Sequence, residues 1–266
     1  MKRIFSAIIL IPLALLVVIF AKPLYFLIGI GCIGTVCLYE YYGILHAMSI
    51  HTRPWFGYGA FWFLLIMFYL DRFPAIPVLA LTVIAAFISA LWRRNISAKE
   101  QASGLMAELL GILYITLFLY PAIPIRYDFG DSGLHWTLLM LLIIWGGDTF
   151  ALAVGKKLGK RQFAPVLSPK KTKEGALAGL LAGIGIAAAV QHFLFTDLPL
   201  WHVIAVSLLL GIFGQLGDLA ESMIKRAAGV KDSSHLIPGH GGLLDRMDSL
   251  LFAIPVLYGY LLLIYP

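Results

Sequence analysis

"MKRIFSAIILIPLALLVVIFAKP", residues 1–23, opens the chain and admits two readings. A basic start followed by an apolar run suits a cleaved secretion signal, and it also suits a first membrane-spanning helix. Here the run is too long for a signal's apolar core, and Ile19 stands where cleavage wants a small residue. The segment is therefore expected to be retained as a helix. That choice decides the fold, because it sets the number of crossings and the side on which every later loop falls.

The rest of the chain is just as apolar. Of 266 residues, 61% are hydrophobic and 13% charged, against about 25% charged in a soluble domain, and the mean hydropathy is +0.90. Crossing a bilayer takes ~20 apolar residues, and such runs recur from end to end. Nine segments result: Ile4–Ala21, Leu24–Leu45, Phe56–Leu70, Ala75–Trp92, Leu105–Tyr120, Leu134–Val154, Gly175–Phe195, Leu198–Ala220 and Leu250–Tyr265. The expected fold is all-α, a polytopic transmembrane bundle of about nine helices, with N-terminal helices in 1–133 and C-terminal helices carrying the chemistry in 134–266. Cys32 and Cys37 share one apolar run five residues apart, on different helix faces, so neither a disulfide nor a metal pair is expected.

With a cytoplasmic N-terminus and nine crossings, 17 of the 20 basic residues fall on the cytoplasmic side. The other side keeps Lys22, Arg72 and Arg126. The positive-inside rule supports this orientation and puts the C-terminus outside. In the seventh segment, Gly175, Gly179 and Gly183 form a bare stripe on one helix face, which lets backbones approach closely in lipid. Its partner is either another helix of this chain or a second copy, as in a homodimer.

Charges inside spans carry the functional signal. Asp148 and Asp218 lie in or at the edge of apolar runs, where a carboxylate costs ~3 kcal/mol on insertion scales and so marks a polar interior. Asp218, Glu221, Ser222 and Lys225 follow at helical spacing and make one polar stripe. The next loop, "SMIKRAAGVKDSSHLIPGHGGLLDRMD" (222–248), adds Asp245 and Asp248 to Lys225, Arg226, Lys231 and Arg246. Carboxylates suit magnesium, which takes oxygen ligands from one or two carboxylates plus substrate phosphates. Carboxylates mixed with cations, with Lys170, Lys171 and Lys173 of "SPKKTKEG" (168–175) on the same side, suit a polyphosphate. Helix anchoring at anionic headgroups accounts for Lys156, Lys157 and Lys160, but it requires neither the glycines nor the aspartates of the loop. There is no P-loop motif. His235 and His240 have no cysteine beside them to make a zinc site, so His240, ahead of Gly241 and Gly242, fits a tight turn or a phosphate contact.

The segment 222–248 resembles the signature of the phosphatidate cytidylyltransferases, the CDP-diacylglycerol synthases. The match runs through Ser222, Lys225-Arg226, Lys231-Asp232, Ser234, Ile237-Pro238, His240-Gly241-Gly242, Asp245-Arg246 and Asp248 without a departure. "SPKKTKEG" is also similar to a family element, whereas the chain up to about Tyr120 is only generically hydrophobic. The resemblance implies a membrane enzyme that converts CTP and phosphatidate in the bilayer to CDP-diacylglycerol and pyrophosphate with magnesium, as one or two ions or beside a monovalent cation. It implies Asp218, Asp245 and Asp248 as metal ligands, and Lys225, Arg226, Lys231 and Arg246 as phosphate holders. Ser222, Lys170, Lys171, His240, Gly241, Gly242 and Asp148 are implied at the substrates. The implied location is the inner (cytoplasmic) membrane with the site facing the cytoplasm, and no nucleic-acid partner is expected. The competing readings are a CTP-dependent lipid-alcohol kinase, a transporter using Asp148, Gln191, Gln215 and Asp218 as an ion path, and a structural membrane subunit.

The charge asymmetry yields a direct check. In a variant lacking Cys32 and Cys37, Lys160→Cys should react with an impermeant thiol reagent only from the cytoplasmic side, and Gly130→Cys only from the opposite side. Labelling of both from one side breaks the nine-crossing arrangement.

Overall fold

The computed structural model describes residues 2–92, 96–194, 198–237, 239 and 241–265. Arg93, Arg94 and His240 therefore lie outside the described residues. The helices are α1 (Lys2–Phe20), α2 (Pro23–Ala47), α3 (Pro54–Leu70), α4 (Ala75–Leu91), α5 (Ala98–Leu119), α6 (Ala122–Tyr127), α7 (Asp131–Leu158), α8 (Lys173–Leu194), α9 (Leu200–Ala227) and α10 (Leu244–Ile264). Each of the nine apolar segments becomes a helix, as an all-α polytopic membrane protein requires.

Among the described residues, six stretches are long and apolar enough to cross a membrane; Ile11–Phe20, α3 and α4 are shorter. At 1.5 Å per residue, the 17-residue α3 and α4 reach ~25 Å against a hydrocarbon thickness of ~30 Å. Local chemistry sets the helix starts. Pro23 and Pro54 open α2 and α3, where a missing N–H costs nothing. Ser97 and Glu100 cap α5 reciprocally: Glu100 N donates to Ser97 Oγ at 3.2 Å, and Ser97 N donates to Glu100 Oε2 at 2.8 Å.

The expectation of helices alone missed one element. Strands β1 (Gln162–Ala164) and β2 (Ser168–Thr172) form an antiparallel hairpin between α7 and α8. "SPKKT" lacks the apolar alternation of a half-buried strand, and all of β2 is at least partly exposed.

The chain packs as two compact units: Met1–Tyr120 with Ile224–Asp245, and Pro121–Met223 with Arg246–Pro266. The segment Ile224–Asp245, most of the signature loop, packs with the N-terminal helices. In the first unit, α2, α3 and α5 pack mutually and α4 lies on α3 and α5. Bare glycines face large rings there: Gly34 receives Phe61, Gly31 receives Trp62 and Gly111 receives Tyr41. Arg53 caps α3 and pairs with the fully buried Glu108 at 2.9 Å.

In the second unit, α7 packs along α8. The stripe of Gly175, Gly179 and Gly183 finds its partner there, against Ala151, Gly147 and Ile143 of α7. Gln215 is absorbed by the same packing, its amide donating to the Ala176 carbonyl at 3.0 Å. Thr172 caps α8 by accepting from Gly175 N at 3.1 Å.

A Cβ on Gly179 would lie 2.9 Å from the Gly147 carbonyl oxygen, whereas one on Gly185 meets nothing within 4 Å. Gly179→Ala should therefore lower the melting temperature, by the 1–3 kcal/mol typical of overpacking. Gly185→Ala should leave it unchanged or raise it. Equal melting temperatures for the two variants contradict the close α7–α8 approach.

Candidate functional site

The signature region supplies side chains to each unit, and the two sets are described in turn. In the first unit it folds around two acids. Asp245 is 8% exposed. Its Oδ1 pairs with the Lys225 ammonium at 2.5 Å. Its Oδ2 accepts from Ser233 N at 2.9 Å and from Gly242 N at 2.8 Å. Two backbone N–H groups fill the lone pairs of Oδ2, leaving spare acceptor capacity only on Oδ1.

The second acid is Glu40 of α2, 1% exposed. Oε1 accepts from Ser234 Oγ at 2.6 Å and Leu243 N at 2.9 Å. Oε2 accepts from Ser233 Oγ at 3.0 Å and Leu244 N at 2.6 Å. Ser233 Oγ lies equally close to Asp245 Oδ2, so its single proton stands between the two carboxylates.

The paired glycines fit this geometry. Gly241 has φ +80° and also faces Asp245 Oδ2, 2.7 Å from where a Cβ would stand. A Cβ on Gly242 would meet both Glu40 oxygens and the Ser233 hydroxyl. Ile237 N donates to the Gly241 carbonyl at 2.9 Å and closes the turn. On the cationic side, Lys225 is buried, while Arg226 and Lys231 are exposed, Arg226 donating to the Val230 carbonyl.

In the second unit four acids gather. Asp248 is within electrostatic reach of Asp218, Glu221 and Asp148, and Asp148 is within reach of Lys171 and Arg246. Asp218 of α9 pairs with Lys171 of β2 and accepts from Ser222 Oγ at 3.4 Å. Lys170 and Lys171 are successive strand residues and point to opposite faces, so only Lys171 turns toward Asp218. Lys170 and Arg246 are exposed. Ser249 N donates to Asp248 Oδ1 at 2.6 Å.

Among the described residues, no three His, Cys, Asp or Glu side chains converge into a ready metal cage. Four hard oxygen donors with two cations beside them instead make an electrostatically divided surface. It favours an anionic ligand that brings, or shares, a divalent cation. The structure gathers Asp148, Asp218 and Asp248 with Lys171 in this unit, whereas Glu40 was not among the residues singled out in the sequence. The signal was present, a lone acid in the apolar run Leu24–Leu45, and the rule applied to Asp148 covers it equally.

A family model described as the cytidylyltransferase family matches residues 1–264. The phosphatidate cytidylyltransferase of Staphylococcus aureus (strain COL) is 46% identical over 131 residues, 49% of this chain and 50% of that protein. The phosphatidate cytidylyltransferase of Staphylococcus saprophyticus is 37% identical over 181 residues, 68% of this chain and 66% of that protein. The same-named protein of Staphylococcus haemolyticus is 38% identical over an equal span. The chain thus spans about half the length of the Staphylococcus aureus relative it matches. With the family model matching from the first residue to position 264, this chain belongs to the cytidylyltransferase family.

Proposed function

We propose that the protein is an integral-membrane phosphatidate cytidylyltransferase, acting at the cytoplasmic face of the inner membrane. CTP and phosphatidate are its substrates, and CDP-diacylglycerol and pyrophosphate its products. The observation that carries this reading is the second unit's arrangement of Asp148, Asp218, Glu221 and Asp248 beside Lys171 and Arg246. Asp218 and Glu221 sit on α9, and Arg246 and Asp248 on α10, the two helices into which the signature runs. The named relatives support the same activity.

The reaction joins two anions. A phosphatidate oxygen attacks the α-phosphorus of CTP, a new P–O bond forms, and the bond to the β-phosphate oxygen breaks to release pyrophosphate. The attacking phosphate is already ionised near neutral pH, so no strong base is required, and catalysis rests on positioning and charge compensation. Lys170, Arg226, Lys231 and Arg246 are exposed, which suits the phosphate-holding role proposed for them. Lys225, buried on Asp245, is fixed in position rather than mobile. Arginine suits phosphate oxygens through its planar fork, and lysine acts as a point charge.

Magnesium fits the donor set as a substrate-completed site. Asp218 and Asp248 would supply anionic oxygens, and the nucleotide phosphates would complete the shell. When bound, it would offset charge on the phosphates and the departing pyrophosphate. Asp245, with Oδ2 saturated, contributes at most through Oδ1. A transporter reading loses one of its polar residues, because Gln215 is taken up by helix packing.

The test uses purified protein in lipid nanodiscs containing phosphatidate, with magnesium and CTP labelled at the α- or the γ-phosphate. Label from the α-position should enter the lipid and γ-label should not; a lipid kinase gives the reverse, and a transporter or scaffold gives neither.

Two variants separate the acids. Asp218→Asn should lower turnover more than tenfold with little change in melting temperature. Its pair with Lys171 is about 30% exposed, so it contributes under ~1 kcal/mol, and losing one of four neighbouring negative charges offsets part of that. Asp245→Asn should lower both, because it breaks a buried pair worth about 3–5 kcal/mol when one partner is removed. An Asp218→Asn protein retaining over a tenth of wild-type turnover, a barrier change below ~1.4 kcal/mol, rules Asp218 out as an essential metal ligand.

A further inference from the structure

We propose that Glu40 is a positioning residue for nucleotidyl transfer: it clamps the signature loop from a helix near the start of the chain, and turnover depends on that clamp. This role rests on the cytidylyltransferase reading above. Glu40 is separated from the loop by 193 to 204 positions in sequence. It sits in α2, in the part of the chain before Tyr120 that lies outside the signature.

The geometry is that of a preformed receptor for a backbone turn. A single carboxylate, 1% exposed, takes two backbone N–H groups and two hydroxyls, using all of its acceptor sites. Leu243 N and Leu244 N stand at the start of α10, where the first N–H groups lack helical partners. The negative charge there also suits the helix N-terminus. Gly242 has no side chain at the point where Glu40 and Ser233 close in. The loop that Glu40 grips bears Lys231 and leads into Asp245, which holds Lys225. Displacing the loop would move these charges together.

Glutamine cannot replace this acid. Whichever way its amide turns, an NH2 group faces a backbone N–H donor, so two acceptances are lost and two donors oppose each other. Aspartate keeps the charge and all four acceptor sites, one methylene further back. Glu108 is the natural control: it is equally buried in the same unit, and its ion pair is with Arg53, at the start of another helix.

The experiment measures kcat and KM for CTP, the melting temperature, and amide hydrogen exchange of the segment 241–245. It compares the wild type, Glu40→Gln, Glu40→Asp and Glu108→Gln, all full-length in nanodiscs and assayed below their melting temperatures. Glu40→Gln should lose at least tenfold in kcat, with KM for CTP changed less than threefold and faster exchange in 241–245. Glu40→Asp should recover at least threefold of that loss. Glu108→Gln should melt lower yet keep kcat within twofold and exchange in 241–245 unchanged. The proposal is overturned if Glu40→Gln keeps kcat within twofold of wild type, or if Glu108→Gln loses kcat as deeply. A wild-type protein that makes no lipid-linked CDP instead overturns the underlying reading, and this role with it.

Discussion

A carboxylate taken out of water must find donors, and in a chain this apolar few are available. Within the first unit Glu40 draws two backbone N–H groups and two hydroxyls from the loop. Asp245 draws Lys225 and two more N–H groups, and Glu108 draws Arg53. An unpaired charge in such surroundings costs several kcal/mol. The loop's backbone N–H groups and the buried acids therefore complete each other. The glycines at 241 and 242 follow from this, because side chains there would occupy the space of the carboxylate oxygens.

The acids thereby divide in kind. Glu40 and Asp245 are enclosed and held by nearby donors, and they shape the chain. Asp148, Asp218, Glu221 and Asp248 in the second unit crowd one another, with Lys171 and Arg246 as neighbouring cations. Like charges held close without a cage are a poor way to stabilise a fold and a good way to receive a cation that arrives with phosphates. The proposed nucleotidyl transfer would use both kinds, a rigid frame and a charged surface whose repulsion the substrates relieve.

Most of the fold was legible in the sequence, because helix formation in lipid is decided locally by length and hydropathy. All nine apolar segments are helices, and the errors lie at polar ends. α5 begins at Ala98 rather than Leu105 because Ser97 and Glu100 cap it, and α9 runs on through its charged last turn to Ala227. The hairpin around Lys170 and Lys171 escaped notice because its strands are short, exposed and without alternation. At the site, Asp148, Asp218 and Asp248 stood out as charges against an apolar background. Glu40 stood out equally, but its meaning depends on partners some 200 positions away, and no local pattern carries that. Asp245 was legible as part of the motif, whereas its saturation by Ser233 and Gly242 depends on the folded turn.

In the function proposed above, Glu40 and Asp245 hold the loop before any metal arrives, and the metal belongs with Asp218 and Asp248. Crystallography with manganese in place of magnesium tests it most directly, on crystals grown with and without manganese and CTP. The account predicts the same hydrogen bonds to Glu40 and Asp245 in both crystals. It also predicts an anomalous manganese peak at coordination distance from Asp218 and Asp248 in the loaded one. A metal-free crystal in which the Leu243 and Leu244 N–H groups no longer reach Glu40, or a manganese peak that bypasses Asp218 and Asp248, would contradict it.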